Sequence, residues 1–308
     1  MAIPDFQTLM LPLLRYSANG EDHTKHEAVP ALASEFGLSE ADLSEELPKV
    51  RQGKFYNRVA WAQTYLKQAG LLAITGRGQF RITERGKQVL ASNPARIDMK
   101  FLERFPEYIA FRNRGKVARD KSEETGHAVG EGAVSEATPE ELLEAGYRQL
   151  RSALASELLQ QVKSGSPAFF ERMVVELLLR MGYGGTREDA GQVVGKSGDG
   201  GIDGIIKEDR LGLDVIYIQA KRWEADVGSS EIRNFIGALS VHKARKGVFM
   251  TTSGFNKNAR ETAAKVDSKI VLIDGPMLAE LMMDFGLGVS QVNTYEIKRV
   301  DSDYFEED

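Results

Sequence analysis

GDGGIDGIIKEDRLGLDVIYIQAKRW, residues 198–223, decides how the rest of the chain is read. Two apolar segments, residues 202–206 and Val215–Lys221, flank a polar turn and are predicted to be short strands. Strand side chains alternate, so Gln219 and Lys221 share one face while Ile218 and Ala220 share the other. A lysine and an amide side by side on an otherwise apolar strand are expensive unless they are used. If the two strands pair as a hairpin, Asp203 lies beside Gln219 and Lys221.

That set of groups suits phosphodiester hydrolysis. Asp203 is expected to bind a divalent cation directly, with the side-chain oxygen of Gln219 as a second ligand and a backbone carbonyl as a third. Lys221 would orient or deprotonate the attacking water and offset charge at the pentacoordinate phosphate. Hard oxygen ligands favour magnesium, with manganese as the alternative. The glycines of GDGG let a nucleic-acid backbone approach closely.

The surrounding C-terminal half alternates helix and strand. Helices are predicted over residues 167–181, 231–243, 258–266 and 277–285. The run GVFMTT, residues 247–252, reads as a buried strand, and KIVLI as another. Alternation of this kind predicts an α/β domain, a central sheet with helices on both faces.

The N-terminal third reads differently. Thr24 and Glu27 form a capping pattern ahead of a helix that Gly37 stops. A short helix is predicted from Ser39, limited by Pro48, and a third over residues 57–69 with Gly70 just past its end. LLAIT, the glycine turn Gly76-Arg77-Gly78 and QFRIT then alternate as a hairpin. Three helices and a basic, glycine-tipped hairpin is the order of a winged-helix module, in which the third helix enters the major groove and the wing lies on phosphates. The expected DNA contacts are Lys54, Asn57, Arg58, Trp61, Gln63, Thr64 and Lys67 on and before that helix, with Arg77 and Arg81 on the wing.

Charge agrees with that placement. The chain carries a formal net charge of −5, yet residues 51–90 hold eight basic residues against Glu84 alone. A basic block inside an acidic protein is the footprint of a polyanion site, and a solvated charged face has the same composition.

Between the halves, a helix over residues 98–113 broken at Pro106 is followed by a polar, glycine-containing stretch expected to be flexible. Thr138-Pro139-Glu140-Glu141 then combines an N-cap, a proline at the first helical position and a capping-box glutamate. Its helix carries Leu142, Leu143, Tyr147, Leu150, Leu154 and Leu158 at spacings of three or four. The simplest expectation is a surface helix packed on the next domain, with a dimerising helix as the alternative. The predicted organisation is a winged-helix-like DNA-binding domain over residues 1–95, a flexible linker over 96–137, a catalytic domain over 138–290 and an acidic tail over 291–308.

Composition closes off other chemistries. There is no cysteine, so disulfides, cysteine-ligated metals and thiol nucleophiles are excluded. No apolar run approaches a membrane span, and the N-terminus lacks the marks of a secretory signal, so a cytoplasmic protein is expected. Gly195-Lys196-Ser197 imitates the end of a phosphate-binding loop, but its spacing from Gly191 is one residue short and a glycine turn follows it, so no ATP chemistry is expected.

FFERMVVELLLRMGYGG (residues 169–185), GDGGIDG, QAKRW (residues 219–223) and KGVFMTTSGFNKNAR (residues 246–260) together resemble the Mrr family of restriction endonucleases, within the PD-(D/E)xK nuclease superfamily. The resemblance spans most of the chain, because the N-terminal region agrees with the Mrr arrangement. It implies that Asp203 is the superfamily aspartate and that Gln219 and Lys221 are the (D/E)xK pair, with glutamine in the acid position. That departure removes one negative charge. The helix glutamate of many such nucleases matches Glu171, with Glu176 as the alternative. The implied activity is restriction of foreign, methylated double-stranded DNA. One site per chain and two strands to cut imply a homo-oligomer, a dimer or tetramer. Two other readings stay open: a DNA-binding protein that kept the fold without catalysis, and a nuclease for branched DNA.

Overall fold

In a computed structural model, residues 2–48, 51–117, 136–184, 202–209, 213–298 and 300 are described. They form two compact units that divide between Arg148 and Gln149. No described helix is long and apolar enough to cross a membrane.

The first unit runs α1 (Phe6–Tyr16), β1 (His23–Thr24), α2 (Lys25–Glu35), α3 (Glu40–Leu43), β2 (Glu46–Leu47), β3 (Gln52–Gly53), α4 (Lys54–Gln68), β4 (Leu72–Gly76), β5 (Gln79–Ile82), α5 (Glu84–Ala91), α6 (Met99–Leu102) and α7 (Pro106–Val117). The strands β1, β5 and β4 form an antiparallel sheet in that order. Capping explains several boundaries. Asp5 accepts from the Gln7 and Thr8 amides, and Thr24 and Glu27 close a capping box on α2. Gly37 and Gly70 take the left-handed conformation that ends α2 and α4. The expected hairpin is present, with Gly78 left-handed at its tip.

One core holds this unit, with α1 and α4 at its centre: Phe6, Leu9, Met10, Leu13 and Leu14 pack with Phe55, Val59, Ala62 and Leu66. Helix α1 is not among the elements expected from the sequence, since Pro12 sits inside its apolar run. Ile97, Leu102 and Tyr108 also fill this core. The packed unit therefore extends past residue 95, and the first part of the expected linker is two helices that meet at Pro106. Residues 118–135 of that linker lie outside the described residues.

Helix α8 (Pro139–Ser164) carries the division between the units. The second unit continues with α9 (Pro167–Arg180), β6 (Gly204–Lys207), β7 (Val215–Lys221), α10 (Ser229–Val241), β8 (Lys246–Thr251), α11 (Lys257–Ala264), β9 (Lys269–Ile273) and α12 (Gly275–Asp284). Its sheet has the order β6-β7-β8-β9, with β6 antiparallel to β7 and the other pairs parallel. Alternation along the strands splits the packing into two layers. Ile216, Ile218, Ala220, Val248 and Met250 join Phe170, Val174, Leu177 and Leu278 in one core. Tyr217 and Phe249 join Ile232, Phe235, Leu239 and Phe255 in the other. The result is the expected sheet with helices on both faces, mixed in strand direction.

One expectation changes here. Among the described residues Leu142, Leu143, Tyr147, Leu150 and Leu154 of the stripe on α8 are exposed, while Leu158 is buried. The acidic end of the tail, residues 301–308, lies outside the described residues.

Candidate active site and nucleic-acid interface

Asp203 stands immediately before β6, where its backbone is fixed by its own amide donating to Ile218 O at 2.8 Å. Its carboxylate turns onto β7. Oδ2 accepts from the Ala220 amide at 2.7 Å and from Gln219 Nε2. Gln219 is 3% exposed, and this bond answers the burial of its amide. Pairing of Gly204 with Ile218 sets the register that brings Asp203 and Gln219 side by side. Lys221 ends β7, half-buried, two residues along from Gln219.

Glu171, in the second turn of α9, is coupled electrostatically to Asp203 and Lys221. Desolvation raises its pKa, the Asp203 carboxylate raises it further, and Lys221 and Arg172 oppose the shift. A carboxyl that senses both Asp203 and Lys221 lies within their field. Glu176 instead pairs with Arg180 at 3.0 Å. Of the four expected site residues, Asp203 and Gln219 are in direct contact and Lys221 lies two residues further along the same strand. The GDGG turn itself, residues 198–201, lies outside the described residues.

The TTS sequence after β8 has a role that strand and motif reading missed. Thr251 and Thr252 are fully buried, and their hydroxyls donate to Lys221 O at 2.9 Å and Trp223 O at 2.8 Å. They fix the backbone of the strand end that carries Lys221. Two buried hydroxyls following an apolar strand are the signal, because each needs a partner. Arg222 anchors the same segment by donating to Lys163 O at 2.6 Å.

The Asp203 and Glu171 carboxylates and the Gln219 amide oxygen are hard donors, which fits a divalent cation of the magnesium type. Among the described residues no group of three acidic, histidine or cysteine side chains forms a ready-made cage. Such a cation would lean on one or two carboxylates, the Gln219 oxygen, water and substrate phosphate.

The residues expected to face DNA are dispersed. Asn57 is 2% exposed and accepts from Thr138 Oγ1 at 2.6 Å. Arg58 pairs with Glu141 at 2.8 Å and donates to Ile3 O at 2.6 Å and Pro4 O at 3.1 Å. Trp61 donates to Glu140 Oε2 at 2.6 Å and stacks obliquely with Tyr65. Gln63 is buried, and Thr64 donates back to Ala60 O. Asn57, Arg58 and Trp61 are therefore engaged by the first turn of α8 and the start of the chain, with Asn57 and Gln63 buried and Arg58, Trp61 and Thr64 half-buried. Lys67 and Arg77 are exposed. Lys54 pairs with Glu45, and Arg81 pairs with Asp22 at the surface.

A mixed sheet with an aspartate at the start of one strand and a glutamine and a lysine on its neighbour is compatible with a nuclease of the restriction endonuclease class. Sequence comparison agrees: residues 162–282 match the family model described as a restriction endonuclease, and residues 6–92 match the Mrr N-terminal domain. The type IV methyl-directed restriction enzyme EcoKMrr of Escherichia coli (strain K12) is 36% identical, over 99% of this chain and 100% of that protein. The chain belongs to the Mrr family of restriction endonucleases. Among solved structures, the DNA modification-dependent restriction endonuclease AspBHI aligns at 19% identity with a TM-score of 0.36, covering 53% of this chain and 40% of that one. The MspJI restriction endonuclease, in complex with a 27-mer oligonucleotide, aligns at 19% identity with a TM-score of 0.28, covering 66% and 47%.

Proposed function

We propose that this endonuclease hydrolyses foreign, methylated double-stranded DNA in the cytoplasm, using a PD-(D/E)xK site of Asp203, Gln219, Lys221 and Glu171 with magnesium, or manganese in its place. The observation that carries the reading is the Asp203 carboxylate, held against β7 by the Ala220 amide and Gln219, on the strand that ends in Lys221. Asp203 and the Gln219 oxygen would hold the cation, with Glu171 as a further acidic contact. When bound, that ion supplies Lewis-acid polarisation of the phosphate and a more acidic water. Lys221 orients the attacking water and balances charge as the phosphate becomes pentacoordinate.

The N-terminal unit is assigned the DNA-holding role, as a winged-helix-like module whose hairpin lies along the backbone. Lys67, Arg77 and Arg81 are its expected phosphate contacts, with Lys54 at the margin. Asn57, Arg58, Trp61 and Thr64 are assigned instead to holding the unit together. Cutting both strands calls for more than one chain.

The test is a digestion panel. Purified protein with magnesium is incubated with plasmid grown in hosts that carry different DNA methyltransferases, or none. Cleavage confined to methylated plasmid is expected. Equal cleavage of unmethylated plasmid would remove methylation from the substrate. Binding without cleavage on every plasmid would favour a DNA-binding protein that lost catalysis.

A further inference from the structure

We propose that Trp223 is a DNA contact: its indole lies against the nucleotide next to the cleaved phosphate, beyond the strand end that carries Lys221. This deepens the proposed function and rests on its reading of Lys221. Trp223 follows Lys221 by two residues, where β7 has ended. It is 39% exposed, although the indole is a large apolar group. Among the described residues it joins neither core of the second unit, and its ring and N–H have no aromatic or hydrogen-bonding partner.

A single exposed apolar side chain is ordinary on a protein surface. What sets this one apart is how its backbone is held. Its amide donates to Lys221 O at 3.1 Å, and its carbonyl accepts from Thr252 Oγ1 at 2.8 Å. Thr252 is 1% exposed and is braced from α12: Gly275 N donates to Ser253 O at 2.8 Å, and a Cβ on Gly275 would stand 2.6 Å from Thr252 O. Arg222, between Lys221 and Trp223, is tied to Lys163 O. An exposed side chain on so fixed a backbone is ordered at little further cost when it meets a ligand.

The neighbourhood selects DNA as the occupant. Two residues span at most about 7 Å of chain, and successive nucleotides of one strand rise about 3.4 Å along a duplex. Once a phosphate sits at Lys221, an indole this close meets the cleaved nucleotide or its neighbour. Lys221 and Arg222 precede Trp223, and of the two acids that follow, Asp226 is turned to Gly254 N at 3.1 Å. An aromatic face beside basic side chains is the chemistry of a nucleic-acid stacking platform. Every base offers a π-face, so the contact adds affinity without selecting sequence or methylation.

The experiment uses the full chain in EDTA, so that binding is read without cleavage, on a fluorescently labelled duplex in methylated and unmethylated form. By anisotropy, Trp223→Ala is expected to bind both forms about tenfold more weakly than the wild type. The slope of log affinity against log salt should keep its wild-type value, because an indole neutralises no phosphate. Trp223→Phe should recover most of the loss. The chain has two tryptophans, so its own emission gives a second reading. Saturating DNA is expected to quench part of the wild-type emission, and that part should be missing from Trp223→Phe. Wild-type affinity in Trp223→Ala, or a quench as large in Trp223→Phe as in the wild type, overturns the proposal. A loss confined to the methylated duplex overturns it as well, since the indole would then read the modification. Cleavage by Lys221→Ala at the wild-type rate, with the Trp223 quench intact, would count against the catalytic reading alone and leave the DNA contact standing.

Discussion

Arg58→Met separates a basic residue that binds DNA from one that binds its own protein. The guanidinium meets Glu141 Oε1 and the carbonyls of Ile3 and Pro4, and the two charged side chains are 14% and 9% exposed. Methionine keeps most of the stem packing and deletes the charge. What remains is a nearly buried carboxylate and two carbonyls without their donor. Breaking a buried pair from one side costs about 3–5 kcal/mol, and a charged hydrogen bond contributes about 1.5–3 kcal/mol. Partial exposure brings the expected loss to about 2–4 kcal/mol. At about 3 °C per kcal/mol for a unit of this size, the melting midpoint should fall by roughly 6–12 °C. The assay is thermal denaturation of the full chain by circular dichroism, paired with DNA binding by fluorescence anisotropy across a salt series. Below its melting range, the variant should keep the wild-type salt slope. An unchanged midpoint with a salt slope reduced by about one would mean that Arg58 contacts phosphate, and the assignment would be wrong.

Other substitutions probe other parts of the account. Tyr108 is fully buried, its hydroxyl has no partner among the described residues, and burial pushes its pKa up to about 12. Tyr108→Phe should leave stability at pH 7 unchanged or raise it by about 1–2 kcal/mol in urea titrations. A raised tyrosine pKa contributes stability that is whole below pH 10 and is lost as pH rises toward 12. Melting midpoints across that window should therefore fall more steeply in the wild type than in the variant, and parallel profiles would contradict this. Gly86→Ala should destabilise the first unit by about 1–3 kcal/mol, because a Cβ there would stand 2.4 Å from Leu71 O. A more stable variant, as helix propensity alone predicts, would show that α5 moves away freely. Gln219→Glu exchanges the bond to Asp203 for a second carboxylate. Isothermal titration should show tighter binding of magnesium, and unchanged affinity would take Gln219 out of the cation site.

The C-terminal half was readable because its signals are local. Apolar runs bounded by glycine and polar turns mark β7 and β8 within a residue, and one pairing register then brings Asp203 to Gln219. In the N-terminal unit the decisive signals are distant in sequence. Asn57, Arg58 and Trp61 find their partners in Thr138, Glu141 and Glu140, about eighty residues away in sequence. A basic and amphipathic helix has the same composition whether its outer face meets DNA or an acidic helix start. Capping signals located that helix start correctly but said nothing about what its carboxylates would meet. Helix α1 was hidden by Pro12, which a buried helix tolerates where the surrounding core supplies the stability. The stripe on α8 is legible as a pattern, but periodicity gives the face of a helix and not its neighbour.

The most direct test of the central claim is cleavage by Lys221→Ala and Asp203→Ala on a methylated plasmid that the wild type cuts, with DNA binding measured on the same preparations. Both variants should bind the plasmid as the wild type does and cleave it at least a hundredfold more slowly, as expected for groups that act on the transition state. Either variant cutting at the wild-type rate would contradict the account, since the chemistry would then lie elsewhere in the chain.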